Sequence, residues 1–257
     1  MTFVEWLALR EPADAAARAR DLVDRLPATG RHVIHDLGCG TGAMGRWLAP
    51  QLDGPQHWVL HDRDAALLEV AHVPAVTVET RRSDVTRLVP GDLAGATLIT
   101  ASALLDLLTE AEVEALVAAC AGAGCPALLT LSVVGHVELT PADPLDQRVA
   151  AAFDAHQRRA GLLGPDAVAA AVEEFGRHGL EVLVRPSPWR LGPTQAELAA
   201  AWLVGWVGAA GEQDPGLAAD AYTRRRLAQA AGGQLAVTVE HADLLALQTV
   251  SNRGESA

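Results

Sequence analysis

The stretch His32 to Leu48, HVIHDLGCGTGAMGRWL, constrains the fold more than any other part of the chain. A short apolar run, Val33-Ile34, leads to an acid, Asp36, and then to a glycine loop, Gly38-x-Gly40-x-Gly42. Met44, Trp47 and Leu48 follow at helical spacing. Strand, tight glycine turn and helix are the parts of a nucleotide-binding βα unit. The glycines let the backbone turn sharply and let a ligand approach with no Cβ in the way.

Two ligand classes compete for such a loop. Gly40-x-Gly42-x-x-Gly45 satisfies the dinucleotide fingerprint, which holds a pyrophosphate at a helix N-terminus. Asp36 stands two residues ahead of the first glycine, where a carboxylate repels a diphosphate and attracts a cation. S-adenosylmethionine has no phosphate; it carries an amino group and a sulfonium. The pattern D-x-G-x-G-x-G at the end of a first strand resembles motif I of the class I S-adenosylmethionine-dependent methyltransferases. By motif, the resemblance runs from about Arg31 to Val134.

Acids after the next two strands extend it. Trp58 to Asp62 reads as a second strand, and Asp62 lies twenty residues beyond Gly42, the spacing of a ribose-binding acid. A carboxylate can accept from both ribose hydroxyls. Val76 to Glu79 is a third strand by its β-branched alternation, followed by Ser83-Asp84-Val85. The resemblance implies that Asp84 accepts from the adenine amino group and that the Val85 N–H meets a ring nitrogen; the competing reading of Asp84 is an Asx turn or helix cap. It further implies S-adenosylmethionine as cofactor, held by Asp36, Gly38, Cys39, Gly40 and Gly42 in the loop. Asp62 and Arg63, Asp84 and Val85, and Ala101 and Ser102 would hold it beyond.

Composition narrows the rest. The net charge is −12, which disfavours a nucleic-acid partner, since phosphate binding needs basic surface. All 20 basic residues are arginine. Walker lysines, Schiff-base chemistry and the Tyr-x-x-x-Lys pair of short-chain dehydrogenases are therefore excluded. Cys39, Cys120 and Cys125 offer neither metal-ligand spacing nor an even disulfide set, so no metal is expected. With no secretory leader pattern and no apolar run of membrane-spanning length, the expected location is cytoplasmic, with no membrane partner.

Further along, residues 2–26 read as helix, with Pro12 near a helix start. Thr97 to Ala101 is a fourth strand, Thr109 caps a helix to about Gly122, and Ala127 to Val134 is a fifth strand. Gly135-His136 and a proline-rich turn follow, then a helix carrying Phe153 and His156 to Ala160 and another from Asp166 to Phe175 that Gly176 can close. Leu180 to Val184 is the sixth strand, Ser187 to Pro193 a loop, Ala196 to Val207 and Leu217 to Ala231 two helices, and Gln234 to Glu240 the last strand. Ser251 to Ala257 is a polar tail. About forty residues between the last two strands exceed a structureless connection.

The expected fold is α/β: a doubly wound, mostly parallel seven-stranded sheet of order 3-2-1-4-5-7-6, the order the resemblance implies. One domain spans 1–257, with residues 1–30 as a helical cap and 187–232 as a helical insertion or lid. The expected activity is methylation of O or N on a small organic acceptor. An Asn/Asp-Pro-Pro-aromatic motif of exocyclic-amine DNA methyltransferases is absent after the fourth strand. The acceptor should sit beyond strands four and five, near Asp106, with Trp189, Trp202 and Trp206 as an aromatic wall. His136 and His156 are the candidate bases. Two alternatives stand beside this reading: an NAD(P)-dependent oxidoreductase, and a non-catalytic methyltransferase-like binding protein. A homodimer through the insertion is a further expectation.

Overall fold

The apolar runs become strands β1 (His32–Leu37), β2 (Gln56–Asp62), β3 (Thr77–Arg82), β4 (Leu98–Ser102) and β5 (Ala127–Thr140) in the computed structural model, which describes residues 1–249. The polar tail Ser251–Ala257 lies outside the described residues. All pairings among these five strands are parallel. Strands β6 (Leu180–Pro186), β7 (Trp189–Leu191) and β8 (Ala236–Gln248) complete the sheet. Its order is β3-β2-β1-β4-β5-β8-β6, with β7 also paired to β8. The expected order therefore holds, with β8 taking the place of a seventh strand and β7 as an eighth.

Helices cover both faces. On one, α5 (Glu110–Ala123) and α7 (Ala167–Arg177) pack Leu116, Val117 and Phe175 against Ile99, Leu129 and Leu244. On the other, α2 (Arg20–Val23), α3 (Ala43–Leu48) and α4 (Ala65–Val70) pack against Ile34, Trp58 and Leu60. Each fully buried side chain of this size contributes roughly 1.5–3 kcal/mol. Local signals set the helix ends as expected at α5. There Thr109 and Glu112 close a capping box, and Gly124 takes the left-handed C-terminal position at φ 72°.

Four local expectations are corrected. A Thr2–Glu5 capping box starts α1 (Phe3–Ala17) early, so Pro12 lies inside the helix, where it removes one backbone donor. Helix α7 runs through Gly176 and stops before Gly179, whose φ of 78° suits glycine. The segment expected as loop contains β7, because Trp189 and Leu191 bury against β8 while Arg190 faces out. Strand β5 does not end at Val134. It bends at two register shifts, and β8 pairs it on both sides of each. Leu131 (φ 59°) and Gly135 (φ 73°) supply the unusual backbone there.

The long final strand carries a third core. Helices α6 (Asp146–Gln157), α8 (Ala196–Gln213) and α9 (Ala219–Ala231) pack with α1, β7 and the outer ends of β5 and β8. Trp189, Leu203, Trp206 and Tyr222 are its large members. Residues between β6 and β8 thus share one apolar cluster with the N-terminal helix.

Candidate active site

A cavity of about 510 Å³ opens at the carboxyl ends of the parallel strands, where doubly wound sheets bind ligands. Its floor at one end is the turn from β1 to α3. Gly38 (φ 69°) and Gly40 (φ 55°) line it, and a Cβ at either would meet Leu104 or Leu7 at 3.3 Å. Gly42 does not line it. Its φ is 88°, and a Cβ there would stand 2.7 Å from the His72 carbonyl, so glycine serves the turn rather than the ligand.

Asp36 is buried beside this loop. Thr100 Oγ1 donates to its Oδ1 at 2.7 Å, and Oδ2 is buried with no hydrogen-bond partner. Burial lifts its pKa to about 6, against the opposing pull of Thr100 and of the Arg18 guanidinium. Asp62, at the end of β2, accepts from Gly40 N and Asp64 N, both at 2.9 Å. Each of its oxygens keeps a second lone pair. Arg63, Asp84 and Val85 line the cavity beyond it. Asp84 also caps the turn after β3, accepting from Thr86 N at 3.1 Å and Thr86 Oγ1 at 2.7 Å, so the Asx-type role and the cavity position coexist. Ser102 and Cys39 line the cavity; Ala101 does not, being buried in the core on β4.

The acceptor-side residues are split. Asp106, His136, Trp189 and Trp202 line the cavity, as does Trp206, which stacks on Trp202 at 5.0 Å. His136 is exposed, with Nε2 3.2 Å from Glu138 Oε1. His156 does not line the cavity. It sits on α6, where its Nε2 lies 3.0 Å from Glu212 Oε2 on α8, so a helix-to-helix contact claims it.

Several lining residues were missed. Arg10 and Asp14 on α1 and Arg18, the residue that caps its C-terminus, recur every four residues and line the same cavity wall. Buried Asp14 accepts from Arg10 Nε at 2.9 Å and from Trp189 Nε1 at 2.9 Å, which ties α1 to β7. Arg18 donates to Thr130 Oγ1 at 3.3 Å, within β5, and to Ser102 Oγ at 3.0 Å, at the end of β4. The four-residue charge spacing on an apolar helix was the signal available. His241 on β8 also lines the cavity, and nothing local to its sequence marked it. The two histidines at the β1–β2 layer, His35 and His61, are buried and contact one another at 3.1 Å.

Residues 34–126 match a family model described as "Methyltransferase domain". Over those residues the chain is similar to a methyltransferase domain. Solved structures share its fold at low identity. Mycolic acid cyclopropane synthase CmaA1 complexed with SAH and CTAB is 13% identical, with a TM-score of 0.50, over 91% of this chain and 82% of that one. A provisionally assigned methyltransferase of Bacillus halodurans C-125 is 12% identical, with a TM-score of 0.51, over 88% of this chain and 96% of that one. Cyclopropane synthase MmaA2 from Mycobacterium tuberculosis is 14% identical, with a TM-score of 0.49, over 88% and 81%. No curated protein matches the chain. The matched range includes the glycine loop, Asp62 and Asp84; the residues that close the far side of the cavity lie outside it, in α1, α6, β7, α8 and β8. No helix among the described residues is long and apolar enough to cross a membrane.

Proposed function

We propose that this methyltransferase uses S-adenosylmethionine to methylate O or N of a small organic acceptor. The observation that carries the reading is one continuous cavity with a polar, acid-lined end and an aromatic end. The residues present suit the cofactor. Asp36 has a buried oxygen without a partner and would attract the amino group. The glycine turn leaves room that side chains would fill. Asp62 would take the ribose hydroxyls, and Asp84 with Val85 the adenine. Acids at this end disfavour a pyrophosphate. When bound, the cofactor supplies a methyl activated on a sulfonium.

The chain's own part is alignment and exclusion of water. Residues 1–30 act as a cap and 187–232 as a lid, because Trp6, Arg10 and Asp14 meet Trp189, Trp202 and Trp206 around the aromatic end. The whole chain, 1–257, works as one domain under this reading. Calorimetric titration with S-adenosylmethionine and with NAD(H) tests it. S-adenosylmethionine should bind and NAD(H) should not bind comparably. Asp62→Ala should lose about 2–4 kcal/mol of that binding, with charge-assisted bonds counted. Equal affinity in the variant would remove Asp62 from the ribose role. Binding without turnover against a metabolite pool would favour a non-catalytic binding protein.

A further inference from the structure

We propose that His241 Nε2 accepts a hydrogen bond from the methyl acceptor, which is therefore a largely apolar molecule carrying an O–H or N–H. The inference deepens the proposed function and rests on it. Register brings His241 to this place. Strand β8 pairs His241 with Val133, three residues past Thr130, which itself pairs with Ser102 at the carboxyl end of β4. That is the acceptor end of the cavity it lines.

The ring is 4% exposed. Its Nδ1 is buried with no hydrogen-bond partner, so Nε2 is the nitrogen left to the cavity. The Trp189 ring stands 5.4 Å away, and Val133 and Val239 flank it. Among the described residues no carboxylate pairs with the imidazole, and burial together with the nearby Arg10 charge keeps its pKa down at about 4 against the pull of the Val239 backbone. A neutral imidazole has one donor and one acceptor nitrogen. With the proton on the sealed Nδ1, Nε2 presents a lone pair to the cavity.

The surroundings define what donates to it. The aromatic wall selects an apolar body. Charged groups of both signs also line the cavity: Asp106, Asp154 and Glu240, Arg10 held by Asp14, and Arg18, whose Nη1 is buried without a partner. An O–H or N–H on Nε2 would turn the heteroatom's remaining lone pair into a fixed direction, the alignment that methyl transfer requires. His136, exposed and set against Glu138, lacks this enclosure.

Nitrogen-15 NMR of histidine-labelled chain, loaded with S-adenosylhomocysteine, reads the ring directly. The His241 signals are assigned by their loss in His241→Gln. The expected ring carries its proton on Nδ1 at neutral pH. Millimolar phenol, aniline or indole should shift Nε2, and toluene should not. Phenol should bind about tenfold more tightly than toluene, the factor of one neutral hydrogen bond. His241→Gln, whose Oε1 can also accept, should keep part of that preference, and His241→Phe should lose it with S-adenosylhomocysteine affinity unchanged. A proton on Nε2, no response to any of the three donors, or an equal response to toluene overturns the proposal. Should His241→Phe not fold, the ring signals of the natural chain still decide. Failure of the cofactor reading is separate: it appears as absent S-adenosylhomocysteine binding, and the ring test can then be run on the unloaded chain.

Discussion

Asp36 is where a single residue's energetics and its chemistry pull in opposite directions. Its carboxyl is buried, and its folded-state pKa of about 6 lies above the ordinary 3.8. A raised carboxyl pKa means the folded chain binds more protons than the unfolded chain between those two values. Stability is therefore lost as pH rises from about 3.8 to about 6 and stays reduced above it. Asp36→Asn should be more stable than the parent at neutral pH, by on the order of 2–3 kcal/mol. The gain should fade as pH falls through that window. The same substitution should weaken S-adenosylmethionine binding, because the cation partner is gone. Thermal melts across pH with calorimetry at one pH check both halves. A variant that is less stable at neutral pH would contradict the burial argument. Asp36 and Asp62 were legible because motif spacing and strand ends are local properties. His241 was not, because its place depends on pairing with a strand that is distant in sequence.

At the scale of elements, the turn into α3 and the docking of α1 decide whether the site exists. Gly42 combines a φ of 88° with a Cβ position 2.7 Å from the His72 carbonyl. Gly42→Ala should cost about 2 kcal/mol or more, from the left-handed backbone and the clash together. Denaturant melts read that loss, and a neutral substitution would mean the turn relaxes freely. Arg46 reinforces the same turn, donating to Glu11 on α1 at 2.6 Å and to the His72 carbonyl at 3.0 Å. Docking of α1 to β7 rests on Asp14, which holds Arg10 and the Trp189 indole. Asp14→Ala leaves Arg10 largely buried without its partner, a loss of about 3–5 kcal/mol for a buried pair. Amide exchange should rise first in 3–17, ahead of β1. Uniform exchange across the chain would mean that α1 is not an independently docked element. The sequence expectation of helix over 2–26 held in part: its apolar period is local, but the chain leaves the helix at Arg18 and α2 restarts at Arg20. The continuation of α1 through Pro12 was not legible, since its packing partners, β7 and the glycine loop, are distant in sequence.

For the whole molecule, the segment between β6 and β8 is both core and cavity wall. Leu198, Leu203, Trp206 and Tyr222 are buried in it, and Arg226 is fully buried against Tyr222, Asp146 and the Pro141 carbonyl. Excising it would expose a third of the molecule's apolar clusters, so the informative change is smaller. Trp202 is only half-buried and faces the cavity beside Trp206. Trp202→Ala should raise KM for the acceptor about tenfold or more while S-adenosylhomocysteine affinity holds, since the lost contact is on the acceptor side. Light scattering on the same sample reads oligomeric state. A dimer that becomes monomeric with unchanged KM would make this face an interface rather than a wall.

Apart from the strand order, which the methyltransferase resemblance implied, the amino-acid sequence by itself determined the parallel strands, the glycine turn and the acids after β2 and β3. Those features follow from hydrophobic period, turn chemistry and spacing within short stretches, and the match over 34–126 covers the same part. Only the tertiary structure decided the aromatic end. Strand β5 passes Gly135 because β8 is there to pair with it; β7 is a strand because β8 accepts it. His156 leaves the cavity for Glu212, and His241 enters it, through contacts between residues 56 or more apart. Short-range patterns report the local free energy of an element. Which side chains meet around a cavity is set by long-range packing, and no local pattern carries that information.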